Sequence, residues 1–180
     1  MADLGQVNRG GWNYVTDLEW LRLLQVKDPD LAFRVYESLA PGLVATDPTV
    51  DPQSHAAAIG LAALYLQQGN EALANDLLNQ SLAVIELISD QYYHPANTVI
   101  HILKGDTPQA LKELRISIDS HWRWEWWMLE KDPTFEPLWN EPEFKIMMDE
   151  VRADMAAQLA RVREMERNGE LEPIPKLAAE

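Results

Sequence analysis

The sequence predicts an all-α protein in which helical hairpins lie side by side. Apolar residues recur at spacings of three and four along most of the 180-residue chain. One set of hairpin positions also returns 36 residues further on. We therefore expect an α–α superhelix of about three hairpins, a Trp-rich helix and a long C-terminal capping helix. The predicted boundaries are a flexible lead at 1–11, a helical-repeat domain at 12–169 and a loose tail at 170–180.

Composition excludes several classes of function. Lys and Arg total 15 against 29 Asp and Glu, so the formal charge of −14 opposes binding to nucleic acid. The chain has no cysteine, which excludes disulfides, thiolate zinc sites and a cysteine nucleophile. No apolar run approaches the ~20 residues that a membrane span needs, and the first residues lack a signal-peptide pattern. We expect no nucleic-acid partner and no membrane contact from this segment, and the compartment, cytoplasmic or periplasmic, stays open.

The first predicted hairpin begins near Trp12 with an apolar helix. Asp28 then supplies a cap and Pro29 a first-turn residue for its second helix. When the hairpin is aligned on Ala32, Trp20 stands where the next hairpin has a small residue, so these two helices are expected to lie further apart. The apolar residues of the two helices are Trp20, Leu21, Leu23, Leu24, Leu31, Ala32, Val35, Tyr36 and Leu39.

The central hairpin, residues 55–86, is the clearest element of the chain. A connection at 41–52 that holds three prolines precedes it, and Gly69 and Asn70 mark its turn. Ala62 and Ala74 are small enough to let the two helix axes approach closely. The residues expected to be buried are Ala58, Leu61, Ala62 and Tyr65 before the turn, and Ala74, Leu78, Ser81 and Ile85 after it.

A third hairpin follows in register with the second. The residues Gly69, Ala74, Leu78, Ser81 and Leu82 reappear 36 positions later as Gly105, Ala110, Leu114, Ser117 and Ile118. Pro95 is expected to open its first helix, and Thr107 with Pro108 to cap and open the second. The match weakens at Thr98 and His101, which stand where the central hairpin has an alanine and a tyrosine.

The stretch 121–139 is unusually rich in tryptophan. Its part before Asp132 is predicted to form a helix, and Phe135, Leu138 and Trp139 after Pro133 to form a short turn that ends before Pro142. Trp122, Trp126 and Leu129 would line one side of that helix, and Trp124, Trp127 and Met128 roughly the opposite side. Such a helix is apolar nearly all round. One interpretation sandwiches it between the third hairpin and the C-terminal helix, and the other makes it an exposed aromatic contact surface for a partner.

A long amphipathic helix closes the chain. Asn140 and Glu143 have the spacing of a capping box around Pro142, and Asn168 with Gly169 marks the end. We expect its apolar face to cover the exposed end of the helical array, as terminal elements of repeat proteins do. The residues of that face are Phe144, Met148, Val151, Met155, Leu159 and Val162.

The central hairpin resembles a tetratricopeptide repeat at Leu61, Ala62, Tyr65, Gly69, Asn70 and Ala74. The run from Asp132 to Leu171 is similar to the terminal segment of tetratricopeptide regions in bacterial signalling proteins, such as winged-helix regulators and adenylate cyclases. The resemblance implies a module for protein–protein interaction within a larger bacterial regulatory protein. If the chain is such a module, the effector part lies on its N-terminal side.

The function expected from the resemblance is a non-catalytic scaffold that holds a peptide or helix of a protein partner. The register of the repeats assigns the contact face to the first helix of each hairpin, and no Lys or Asn clamp for a carboxylate occurs there. The predicted partner-binding residues are Ile59, Ala63, Leu66, Val99 and Ile102, with Trp124 and Trp127. The apolar groove either takes a hydrophobic partner segment or is filled by the C-terminal helix. The alternative is a small-molecule sensor with a Trp-lined apolar pocket.

No pattern typical of catalysis is present. The sequence has no GxSxG, no glycine-rich phosphate loop and no HExxH. Ser120 and His121 are neighbours, which on a helix point about 100° apart and cannot form a nucleophile and base pair. His94 and His101 are roughly 10 Å apart along a helix, too far to share one ion. We expect no enzyme activity, no cofactor and no metal site.

Overall fold

The computed structural model describes residues 27–88, 96–123 and 125–171. No strand occurs among them, so this part of the protein is all-α, as predicted. The α-helices are α1 (Pro29–Leu39), α2 (His55–Gln67), α3 (Glu71–Ile88), α4 (Ala96–Leu103), α5 (Thr107–Asp119) and α6 (Pro142–Arg167), and 3₁₀ helices span Trp126–Met128 and Pro133–Leu138. The predicted lead, the first helix of the first hairpin and most of the tail lie outside the described residues.

The described helices pack against their neighbours in chain order. Helix α2 pairs with α3 and helix α4 with α5, and these two hairpins are joined by contacts of α4 with both α2 and α3. Helix α1 adds to α2 at one end, and α6 adds to α5 at the other. One hydrophobic cluster runs through all of them, from Ala32 to Val151.

Helix α1 begins as the sequence predicts. The Asp28 carboxylate accepts a hydrogen bond from the Leu31 amide at 2.9 Å, and Pro29 occupies the first turn, where no amide donor is needed. The face of α1 that carries Ala32 and Tyr36 is buried. The cap and the apolar face together explain why this short segment is helical.

The proline-rich connection after α1 is fixed to helix α3 by one side chain. The Gln80 amide nitrogen donates to the Pro48 carbonyl at 3.0 Å, and its oxygen accepts from the Val50 amide at 2.9 Å. Pro48 and Val50 are both buried. The connection therefore lies against the second hairpin rather than extending away from it.

The second hairpin buries every position that the sequence predicts. Ala58, Ala62 and Ala74 have no exposed surface, so the axes of α2 and α3 approach closely. The Tyr65 ring meets Phe33 of α1 edge-on, with centroids 5.8 Å apart. The buried residues that match the prediction are Ala58, Leu61, Ala62, Tyr65, Ala74, Leu78, Ser81 and Ile85.

The turns of the second and third hairpins have the same geometry 36 residues apart. Gly69 and Gly105 have φ angles of +75° and +73°. In each turn, the amide after the glycine donates to the carbonyl five positions earlier, at 2.8 Å. This is the Schellman closure of a helix, which requires a left-handed residue and therefore favours glycine.

The helices that follow these turns are also capped alike. The Asn70 side chain accepts from an amide of α3 at 3.4 Å, and Asp106 accepts from the corresponding amide of α5 at 3.2 Å. The cap of α5 is therefore Asp106, one residue before the predicted Thr107. Ser81 and Ser117 each donate to the carbonyl four residues earlier. The 36-residue repetition in sequence is matched in the backbone.

The Trp-rich stretch differs from the predicted continuous helix. Helix α5 ends at Asp119, where His121 adopts a φ of +63° and closes the helix with the same bond pattern as the glycine turns. Glu125 has a φ of +51°, and among the described residues between Ser120 and Asp132 only the 3₁₀ turn Trp126–Met128 is helical. The predicted short turn after Pro133 is present as the 3₁₀ helix Pro133–Leu138. Two left-handed residues within five positions prevent an α-helix from continuing.

Helix α6 covers the third hairpin with its first part only. Its cap residue is Glu141, without a side-chain hydrogen bond, so the predicted Asn140–Glu143 capping box does not form. Phe144, Met147, Met148 and Val151 are buried, whereas Leu159 and Val162 are 50% and 42% exposed. The prediction that all six apolar residues cover the array is therefore wrong for these last two. At 1.5 Å per residue, the part after Val151 extends for about 24 Å.

We predict that Gly69→Ala and Gly105→Ala lower the free energy of unfolding by similar amounts, about 1–2 kcal/mol each. A Cβ atom at either position meets nothing within 4 Å, so the cost arises only from the left-handed backbone. Urea unfolding of the purified chain measures it. Gly42→Ala is the control, because Gly42 has open space and no positive φ. If Gly69→Ala and Gly105→Ala lower the free energy of unfolding by clearly different amounts, the two turns are not equivalent.

Candidate interaction surface

The predicted contact face on α2 and α4 is only partly accessible. Ile59 and Val99 are buried in the core. Ala63, Leu66 and Ile102 are half-buried and retain surface that a partner could touch. The reason is that α2 packs on α4 as well as on α3. The repeat register assigned the contact face to α2 and α4. The packing of these two helices on each other buries two of the five side chains assigned to that face.

The accessible part of this face carries no charge. Helix α2 holds no Lys, Arg, Asp or Glu, and neither does helix α4. Surface offered by Ala63, Leu66 and Ile102 therefore attracts apolar groups and gives no ion pair to a terminal carboxylate. This face suits a hydrophobic segment.

The Trp-rich stretch contributes to both the core and the surface. Trp122 and Trp126 are half-buried and pack against the core. Trp127 is 47% exposed and Met128 is 37% exposed. Trp124 lies outside the described residues. Neither predicted interpretation holds alone. Trp122 and Trp126 of this stretch pack against the core, whereas Trp127 is exposed to solvent.

Hydrogen bonds made by Arg123 and Trp139 hold the described residues of 122–129, called the aromatic turn below, in this position. The Arg123 guanidinium donates to the Asp154 carboxylate of α6 at 2.7 Å and to the Ile118 and Trp122 carbonyls at 3.0 and 2.8 Å. Trp139 donates its indole N–H to the Leu129 carbonyl at 2.9 Å. Arg123 also holds the pKa of Asp154 below its usual range. The aromatic turn is thus fixed between α5 and α6, although sequence spacing did not single out Arg123.

Helix α4 contains buried polar atoms without partners. Thr98 is fully buried, and its hydroxyl has no hydrogen-bond partner. The same holds for the Asn97 side-chain oxygen and the His101 Nδ1 atom. Each unpartnered buried polar group costs about 1–3 kcal/mol. The third hairpin is therefore expected to be less stable than the second.

A cavity of about 640 Å³ lies between the end of α1 and the start of α2. Its size falls in the range of small-molecule sites. None of its described lining residues is a tryptophan, and the described part of the Trp-rich stretch does not contribute to it, so it differs from the pocket that the sensor hypothesis expects. The lining residues are Leu39, Ala40, Gly42, Leu43, Thr49, Asp51, Pro52, Gln53, Ser54, His55 and Ala57.

The polar groups at this cavity form a hydrogen-bonded turn directly before α2. The Ser54 hydroxyl donates to the Asp51 carboxylate at 2.7 Å, and the Ser54 and Gln53 amides donate to it at 2.8 and 3.0 Å. The His55 ring bonds through Nδ1 to the Pro52 carbonyl at 3.0 Å. The Ser54 hydroxyl, which could otherwise act as a nucleophile, thus donates to the Asp51 carboxylate in the turn before α2.

The described residues contain no group of three or more His, Asp or Glu side chains that could hold a metal ion. His55, His101 and His121 lie in separate elements, and His94 lies outside the described residues. None of the described helices is both long and apolar enough for a membrane span. Compared with known proteins, the chain matches no family model, no curated protein and no solved structure.

The hydrogen-bonded turn at Asp51 gives a prediction for the dependence of stability on pH. The Ser54 hydroxyl, followed by the two amides, lowers the pKa of Asp51 in the folded chain. Because the unfolded pKa is about 3.9, this stabilisation is present above that value and is lost as pH falls through the folded pKa. Ser54→Ala should therefore lower the unfolding free energy at about pH 7 more than at about pH 2.5.

Urea unfolding at the two pH values measures this difference. Thr49→Ala is the control, since Thr49 lines the same cavity and is exposed. A Ser54→Ala loss that is equal at both pH values would show that the hydroxyl acts by packing and not through the Asp51 carboxylate.

Proposed function

We propose that the chain is a non-catalytic protein-interaction scaffold of tetratricopeptide type, and a module of a larger bacterial signalling or regulatory protein. The observation that carries the proposal is that the features of the second hairpin recur in the third hairpin 36 residues later. Turn glycine, turn hydrogen bonds and caps all recur at that spacing. Side-by-side repetition of one hairpin is how such proteins build an extended binding face.

The partner that this surface favours is an apolar peptide or helix. Ala63, Leu66 and Ile102 offer uncharged apolar surface on the first helices of the two hairpins. Trp127 and Met128 add exposed side chains of the kinds that are enriched at binding hot spots and adaptable surfaces. The net charge of −14 would favour apolar partners with basic flanks.

Non-catalytic action is supported by the use that the chain makes of its reactive groups. Asp51 and Ser54 stabilise the turn before α2, Asp106 caps α5, and Arg123 holds the aromatic turn against α6. Asp51 and Ser54 line one cavity, whereas Asp106 and Arg123 belong to other parts of the fold, so the four groups do not meet at one site.

A small-molecule sensor is the second candidate, and the cavity between α1 and α2 is the observation in its favour. This version of the sensor differs from the one expected from sequence, because its walls come from α1, α2 and their connection. Leu43 and Ala57 form buried apolar parts of the lining. A ligand would have to be small and partly apolar.

The scaffold proposal predicts that peptides selected from a random library on the full chain are rich in apolar residues. Trp127→Ala and Ala63→Gln should each weaken a selected peptide at least about tenfold, a loss of roughly 1.4 kcal/mol. Peptide fluorescence anisotropy measures the affinity, and thermal unfolding shows that the fold is retained.

Leu87→Ala is the matched control, since Leu87 is apolar and 86% exposed but belongs to α3, the second helix of its hairpin. Equal weakening by Leu87→Ala would contradict the assigned face. A selection that enriches no peptide, together with saturable binding of a small molecule that Leu43→Trp abolishes, would favour the sensor.

A further inference from the structure

The cavity between α1 and α2 combines apolar walls with a single acidic side chain. Leu43 and Ala57 contribute buried apolar surface to its lining, and Leu39 is half-buried. Among the described lining residues, Asp51 is the only Asp or Glu, and there is no Lys or Arg. An anionic ligand would therefore meet a carboxylate and no lysine or arginine from this part of the wall. The charge of the lining disfavours anions and favours cations.

The hydrogen-bond donors next to Asp51 are used within the turn before α2. The Ser54 hydroxyl and the Ser54 and Gln53 amides all donate to the same carboxylate oxygen, Oδ1, at 2.7, 2.8 and 3.0 Å. The His55 Nδ1 atom bonds to the Pro52 carbonyl. The other carboxylate oxygen, Oδ2, accepts no hydrogen bond from the described residues. Asp51 therefore has room for one more hydrogen bond, which a ligand would have to donate.

The electrostatics of the chain also favour a positively charged donor at this carboxylate. The hydrogen bond from the Ser54 hydroxyl lowers the pKa of Asp51, so the side chain is ionised at neutral pH. The net charge of −14 raises the local concentration of cations and lowers that of anions. An ammonium group donates a charge-assisted hydrogen bond to a carboxylate, which is stronger than the bond from a neutral donor.

We propose that this cavity binds a small organic amine, with its ammonium group on Asp51 and its apolar body against Leu43 and Ala57. The volume of about 640 Å³ suits a ligand of this kind. Because Asp51 is exposed, the ion pair contributes more to selectivity than to affinity. The inference deepens the sensor candidate and does not rest on the peptide-binding face of α2 and α4. Failure of an amine to bind would leave the scaffold proposal intact.

Isothermal titration calorimetry of the full chain with three probes of similar shape tests the charge preference. Phenethylamine should bind about threefold to fivefold more tightly than phenethyl alcohol, which is the effect of a favourable exposed ion pair, and phenylacetate should bind least tightly. Added salt should reduce the preference. Equal affinities for the three probes, tighter binding of phenylacetate, or no saturable binding of the amine would overturn the proposal.

The variant Asp51→Asn tests the position of the ammonium group. It should abolish the preference for phenethylamine over phenethyl alcohol, because the amide oxygen still accepts hydrogen bonds in the turn but carries no charge. Asp47→Asn is the matched control, since Asp47 is exposed on the same connection and does not line the cavity. Thermal unfolding shows that both variants are folded. A preference that survives Asp51→Asn, or that both variants lose equally, would contradict the assignment to Asp51.

The variant Gly42→Leu tests the apolar part of the cavity. Gly42 lines the cavity, and a Cβ atom there meets nothing within 4 Å, so a larger side chain occupies cavity space without displacing the core. Phenethylamine and phenethyl alcohol should both bind more weakly to this variant. Unchanged affinity for both probes would show that they bind elsewhere and would overturn the proposal.

A fourth probe distinguishes a free amine from the side chain of a protein partner. Nα-acetyl-lysine amide carries the same ammonium group on a peptide-like body, and it should bind more weakly than phenethylamine. Tighter binding of the lysine derivative would show that the site takes lysine side chains of a protein, and would overturn the assignment to a small molecule.

Discussion

The close approach of α2 and α3 is the contact on which the rest of the described structure depends. Ala58, Ala62 and Ala74 are fully buried, and side chains of this size let two helix axes come near enough for the larger residues around them to interlock. Helix α1, the proline-rich connection and helix α4 all pack on this hairpin. A larger residue at Ala62 or Ala74 would separate the axes and disturb each of these contacts.

The third hairpin copies the second in its turn and caps but not in its packing residues. The described part of its first helix has eight residues and places Thr98 and His101 where the second hairpin has Ala62 and Tyr65. The resulting unpartnered polar atoms lie in α4, which packs on α5. Helix α5 in turn leads into the aromatic turn and contacts α6. Stability should therefore decrease along the array, with the more adaptable part near the exposed Trp127.

The sequence predicted those features of the fold that depend on local periodicity. The buried face of the second hairpin, the cap at Asp28 and the glycine stop at Gly169 all follow from side-chain spacing and backbone preference. The conformation of the Trp-rich stretch could not be predicted in this way. Left-handed backbone at His121 and Glu125 prevents a continuous helix there, and neither residue type signals such a backbone as glycine does.

The candidate surface was predicted less well for a related reason. Periodicity shows which face of a helix is apolar, but not at which residue that face ceases to be packed against other helices. Ile59 and Val99 are buried by contacts between hairpins, and Leu159 is exposed because the array ends before α6 does. Arg123 was missed because its acceptors come from three separate positions in the sequence. Only tertiary contacts carry this information.

The central claim is that the second and third hairpins are equivalent repeats of one packing unit. Transfer of the second hairpin's residues to the third, as Thr98→Ala with His101→Tyr, tests it most directly. If the hairpins are equivalent, the double variant removes unpartnered buried polar atoms and raises the free energy of unfolding by about 1–3 kcal/mol in urea titrations. A double variant less stable than the wild type would show that Thr98 and His101 occupy different surroundings from Ala62 and Tyr65, and would contradict the claim.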